Sequence, residues 1–165
     1  VKLAWYLLCF VLLASPAIGA EEEEVDQLEE KETGLRFIEV QWANEVHGYQ
    51  DYEPNPKGLF QRGERAYVYM EVAGFESRYD EEKEAYHTDV TIDVRLRSRI
   101  GIPLFSENNM VDYVHWDSFQ PNSLWFYIWV DIPGWAPRST YQAEVTVRDR
   151  VGETEFKKAR ALDVQ

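Results

Sequence analysis

An all-β domain, an antiparallel sandwich of about seven strands over residues 35–165, is the fold class this sequence predicts. Three features point to it. From Leu35 onward apolar and polar residues alternate with period two, turn-forming residues punctuate the alternating runs, and no stretch sustains a helical period. Alternation of this kind marks strands with one face in a core and one face in solvent.

The run His87 to Arg99 is the clearest, with Thr88, Val90, Ile92, Val94 and Leu96 on one side and Asp89, Thr91, Asp93, Arg95 and Arg97 on the other. Arg65 to Val72 places Ala66, Val68, Met70 and Val72 together. Tyr141 to Asp149 does the same with Tyr141, Ala143, Val145 and Val147, and Leu124 to Ile132 with Leu124, Phe126, Ile128, Val130 and Ile132. Weaker strands are expected near Leu35 to Ala43, Val111 to Trp116 and Glu155 to Val164. Gly101, Asn108-Asn109, Pro121-Asn122 and Pro133-Gly134 are expected at turns. Asp149 to Gly152 should close a hairpin with Gly152 at positive φ. Asn44 to Glu64 reads as a long connection whose Tyr49, Tyr52 and Phe60 pack it down on the domain.

Two segments precede the domain. Residues 1–20 read as a signal peptide: Lys2, an unbroken apolar run from Leu3 to Leu13, the breaker Ser15-Pro16, and small residues at Ala17 to Ala20 for cleavage. The mature chain then begins at Glu21 or Ala20, and the protein is exported, periplasmic or extracellular. The rival is a retained anchor, but Lys2 to Ala20 is marginal in length for a span and Pro16 sits badly in it. Residues 21–34 read as an acidic, self-repelling linker, with eight acids against Lys31 between residues 21 and 32. Cys9, the sole cysteine, would depart with the signal, so no disulfide holds the mature fold.

Charge narrows the partners. The chain carries a net −13, of which residues 33–165 hold 22 acids against 15 bases. A polyanion is repelled by such a protein, which argues against nucleic acid, and against a membrane once the signal is gone. No cofactor is implied. No G-x-S-x-G, nucleophilic cysteine or phosphate-cradling loop is present, so no catalytic residue is assigned. His47, His87 and His115 lack the spacing of a metal site, and the acids Glu76, Asp80, Glu81, Glu82 and Glu84 lack that of a calcium loop; no metal ligand is assigned. Arg95, Arg97 and Arg99, beside Asp89 and Asp93, suggest cross-strand ion pairs.

Tyr141 begins its strand just after the corner Pro137-Arg138-Ser139-Thr140. This resembles the tyrosine corner of immunoglobulin-like sandwiches, which implies a hydroxyl bonded back to upstream backbone and a structural role. Ala143 stands where the second core cysteine of an antibody domain would be, and His87 to Arg99 has no Trp. The stretch Phe60-Gln61-Arg62-Gly63-Glu64-Arg65-Ala66-Tyr67-Val68-Tyr69-Met70-Glu71-Val72-Ala73-Gly74-Phe75, with the Tyr141 to Asp149 strand, resembles secreted bacterial proteins of unassigned function. That likeness implies a sandwich and export and brings no catalytic residue.

One surface stands out. If Val68 and Met70 point inward, Tyr67 and Tyr69 point outward; if Phe126, Ile128 and Val130 point inward, Trp125, Tyr127 and Trp129 point outward. In an immunoglobulin-like sandwich these two runs would be neighbouring strands, which makes Tyr67, Tyr69, Trp125, Tyr127 and Trp129 one outer aromatic face. Three functions are compatible with it. The first is a non-catalytic binding or assembly domain with a protein partner, a second copy included. The second is a carbohydrate-binding module stacking sugars on the rings, and the third a hydrolase whose acids the sequence does not single out. The face is open to one of these, or Asn44 to Glu64 lies across it.

Overall fold

The computed structural model describes residues 34–165; the expected signal peptide and nearly all of the acidic linker lie outside them. The described chain is a two-sheet β-sandwich with ten strands: β1 (Arg36–Gly48), β2 (Asp51–Pro54), β3 (Leu59–Phe60), β4 (Arg65–Ala73), β5 (Arg78–Asp80), β6 (Ala85–Ser98), β7 (Pro103–Asp117), β8 (Ser123–Asp131), β9 (Ser139–Asp149) and β10 (Thr154–Val164). One sheet has the order β2-β1-β4-β8. The other runs β3-β10-β9-β6-β5, with β7 on the second edge of β6. All pairs are antiparallel except the short parallel β3–β10 pair.

The expected seven strands are all present, and three short ones join them. β2 and β3 lie inside the segment read as a connection, and β5 precedes β6; four, two and three residues are too few to show a period. The turn expected at Asn108-Asn109 is a bulge instead. β7 continues through it opposite β6, with Asn109 at a φ of 53° and its N–H donating 2.9 Å to the Asp93 carboxylate. Positive φ in the β9–β10 hairpin falls on Glu153, not on Gly152. Gly152 is needed for close approach: a Cβ there would lie 2.5 Å from an Asp149 carboxylate oxygen, which must reach the Glu76 N–H at 2.7 Å.

The core forms where the alternating faces meet. Val68, Met70, Val72 and Ile128 from one sheet pack against Val90, Ile92, Val94, Val145 and Val147 from the other, all nearly inaccessible to solvent. Trp42 crosses the gap, donating its indole N–H 2.7 Å to the Ala161 carbonyl. Outside the six-stranded sheet, Arg148 holds Asp93 and Glu155, Arg150 holds Asp89 and Asp112, and Arg95 reaches Glu144. Of the expected ladder only Arg95 pairs across strands; Arg97 and Arg99 hold no carboxylate among the described residues, and Asp89 and Asp93 are taken by Arg150 and Arg148, which the single strand could not reveal.

The Tyr141 hydroxyl donates 2.6 Å to the Pro137 carbonyl, four residues upstream, and its ring is buried. Tyr141→Phe keeps the ring and removes one neutral hydrogen bond, leaving that carbonyl short of a partner. The expected loss is about 1 kcal/mol by urea denaturation with the m-value unchanged. An unaltered midpoint would show that this bond contributes nothing to the corner.

Candidate functional site: an aromatic face on an edge strand

β4 and β8 pair over nine residues without a bulge, and the register sets Tyr67 opposite Trp129, Tyr69 opposite Tyr127, and Glu71 opposite Trp125. Because alternate side chains share a face, these six residues stand together on the outside of the four-stranded sheet, backed by Val68, Met70, Phe126 and Ile128 on the inside. The rings touch in a continuous net. Trp125 and Tyr127 have centroids 6.4 Å apart, Tyr127 and Trp129 6.1 Å, Tyr67 and Trp129 6.4 Å, and Tyr69 and Trp125 6.2 Å. At one end the Arg65 guanidinium lies 5.2 Å over the Trp129 ring and is held there by Asp131 at 2.7 Å.

The five aromatics are not equally available. Trp125, Tyr127 and Trp129 are 38%, 42% and 41% exposed, Tyr67 is half-buried, and Tyr69 is wholly buried. The cover over Tyr69 is the β1–β2 hairpin. Extra residues at Asn44 and His47 break the β1–β2 register, and such bulges bend a strand. Tyr52 stacks on Tyr69 at 4.4 Å and 17°, and Tyr49 leans on Trp125 at 6.2 Å. Asn44 to Glu64 therefore supplies a cover for one end of the face only.

Polar contacts fasten the hairpin. The Tyr69 hydroxyl donates 2.6 Å to Glu71 and accepts the Gln50 N–H at 3.1 Å, while the Gln50 amide also reaches Glu71. The Tyr52 hydroxyl donates to Glu39. Burial, and then the Glu39 carboxylate, push the Tyr52 phenol up to about 12. Burial and Glu71 likewise raise Tyr69, against the opposing pull of the Gln50 N–H. Both phenols stay protonated as donors throughout the physiological range.

β8 is also the end strand of its sheet, bonded to β4 alone. Its sequence, Ser-Leu-Trp-Phe-Tyr-Ile-Trp-Val-Asp, has no lysine or proline, and its charge waits until Asp131. Natural edges are usually blunted by such residues or by bulges. This one has neither.

The histidines do not assemble. His87 stacks on Trp116 at 4.4 Å, and His115 lies 3.4 Å from Asp117. His47, however, shares the exposed tip of the β1–β2 hairpin with Glu45 and Glu53, their donor atoms within 4.8 Å of one another. Only the register that sets Glu45 opposite Glu53 reveals this trio. Asp80, in the acid-rich loop, is occupied by backbone, accepting the N–H groups of Glu82 and Lys83.

No family model matches the chain, and no curated protein does. Among solved structures it is similar to the C-terminal domain of wzt, at 10% identity and a TM-score of 0.49, over 80% of this chain and 74% of that one. It is also similar to a family 123 glycoside hydrolase from Clostridium perfringens, at 10% identity and a TM-score of 0.47, over 79% of this chain but only 27% of the hydrolase. For Spo0M, a sporulation control protein from Bacillus subtilis, the figures are 12%, 0.34, 76% and 49%. At such identities and scores the likeness carries no information about a ligand.

Proposed function

We propose that this is an exported, non-catalytic binding domain that engages a protein partner by strand addition at β8. The observation that carries the reading is the coincidence of an unblunted, bulge-free edge with the row Trp125, Tyr127, Trp129. An added strand would take up the free backbone groups of β8 and set its alternate side chains beside the rings. A glycan would use the rings alone and leave the edge unpaired. The corner at Tyr141 and the neighbouring positions of β4 and β8 support an immunoglobulin-like reading of the sandwich.

The test is to place a lysine in the middle of the edge with Tyr127→Lys. Tyr127 is exposed enough that the melting temperature should fall by no more than a few degrees. Association, with itself by sedimentation equilibrium or with a co-purifying stoichiometric partner, should be lost. A protein that is monomeric and alone before the substitution, or associates equally after it, overturns the reading. Binding of the unaltered protein to a glycan array, abolished by Tyr127→Lys, would move the face to sugars.

A further inference from the structure

The ends of the sandwich differ in chemistry. β6 runs from the turn at Glu81–Glu84 to the hairpin that joins it to β7, and β9 runs back beside it, so Ser98 lies opposite Tyr141 at one end and Val90 opposite Asp149 at the other. The end near Asp149 carries the acidic turn and Glu76, Asp117 and Glu153. The other end is formed by the β6–β7 hairpin, the β8–β9 connection and the start of β4.

Two independent features fall on that second end. The most exposed large apolar residues among those described are Ile100, at 81%, and Trp135, at 80%, joined by half-exposed Ile102 and Leu104. Ile100 and Ile102 ride on a tight hairpin closed by Gly101 N–H to the Ser98 carbonyl, 2.8 Å, and Ile102 N–H to the Ser98 hydroxyl, 3.0 Å. Leu104 and Trp135 border one apolar cleft of about 180 Å³ that opens between the sheets. The arginines are the second feature. Arg65, Arg78, Arg95, Arg148 and Arg150 each hold a carboxylate and Arg160 the Val40 carbonyl, whereas Arg62, Arg97, Arg99 and Arg138 have no carboxylate partner among the described residues. All four belong to this end: Arg97 lies near the end of β6 and Arg99 in the hairpin turn, Arg138 follows Trp135, and the Arg62 N–H bonds the Gln165 carbonyl beside Val164.

We infer that this end docks on an anionic lipid surface. Protruding aliphatic tips and a tryptophan suit the headgroup boundary, and flanking arginines stretch along apolar surface while their guanidiniums reach lipid phosphates. Four arginines that hold no carboxylate call for fixed anions. The net negative charge of the chain argues the other way only as a sum. The acidic turn lies at the far end, several Debye lengths off at physiological ionic strength, since fourteen strand residues extend about 45 Å. The acids of this end, Glu64, Asp131 and Asp163, are outnumbered by Arg62, Arg65, Arg97, Arg99 and Arg138, and Arg65 holds Asp131. This inference is independent of the β8 reading.

The chain from Glu21 onward, which keeps the acidic run and every strand, is sedimented with vesicles of phosphatidylcholine alone or with one-third phosphatidylglycerol. Partitioning is expected on the anionic vesicles only, falling steeply as salt rises; this arm needs no variant to fold. Arg97→Gln, Arg99→Gln and Arg138→Gln together should weaken it on the order of a hundredfold, at about fivefold per arginine. Ile100→Asp with Trp135→Asp should weaken it at least about tenfold, with near-UV circular dichroism showing native packing in both variants. No partitioning, equal partitioning on neutral vesicles, or variants that bind like the parent would each overturn the proposal. So would self-association that the arginine variant abolishes in the absence of lipid, which would assign this end to the acidic end of a second copy.

Discussion

Replacing Trp125 and Trp129 together with alanine is expected to weaken partner binding about a thousandfold. Large rings at the centre of a contact contribute about 2 kcal/mol or more each when truncated, and about 4 kcal/mol corresponds to that factor in Kd. The two rings bracket Tyr127 on the edge strand and are each about two-fifths exposed, so a partner has ring surface left to bury. Stability should suffer less, by about 1–2 kcal/mol. Trp125 gives up its contacts with Tyr49 and Tyr69, and Trp129 the Arg65 cation above it. Isothermal titration or sedimentation reads the first quantity and urea denaturation the second. A double variant unchanged in association would show the rings to be incidental, and a loss confined to stability would make them only a platform for the hairpin.

The second large effect is electrostatic. Asp93 is 2% exposed on the outer side of β6, accepts the Asn109 N–H, and pairs with Arg148 on β9. Burial pushes its carboxyl up, but the Asn109 N–H and the Arg148 guanidinium outweigh burial and hold it below the usual carboxylate range. Arg148→Met removes the compensating cation and strands a buried charge, which should cost about 3 kcal/mol at pH 7. Asp93→Asn should cost less, because Arg148 is partly exposed and keeps Glu155. The sign with pH follows from the depressed carboxyl. Its contribution in the unaltered protein is full above the unfolded value near about 4 and is lost as pH falls through the folded value. In Arg148→Met burial is left less opposed, the carboxyl rises, and the penalty shrinks as the solution is acidified. Denaturation of the three proteins between about pH 3 and pH 7 checks this; a pH-independent difference between parent and Arg148→Met would show that Asp93 is not the origin.

What the sequence disclosed and what it withheld divide along a physical line. The alternation in β4, β6, β8 and β9 is local, because each residue's side of the strand is set by its neighbours, and it located the core and the outward rings. Tyr141 was legible because its partner carbonyl is four residues away. Pairing is not local. The fold of Tyr52 onto Tyr69, the trio of Glu45, His47 and Glu53, and the hold of Arg148 on Asp93 each depend on which strands lie side by side. Bulges hide in the same way: Asn109 looks like a turn residue because both settings need positive φ. The apolar end was missed for another reason, since hairpin tips have no period and Ile100 and Trp135 belong to none.

The positions of the first and last strands have a mechanical consequence. β1 begins at Arg36 beside Ala73, at the acid-rich end, and β10 finishes at Val164 beside Ser139, at the opposite end. Tension applied between residues 34 and 165 therefore runs along both strands. The eleven register pairs joining β10 to β9 would be loaded together in shear, not opened one after another as in a zipper. Bonds that share a load must fail together, so the force at which the domain yields is governed by its unfolding rate along that direction and not by its equilibrium stability. A domain built this way can transmit a pull between what holds its first strand and what holds its last.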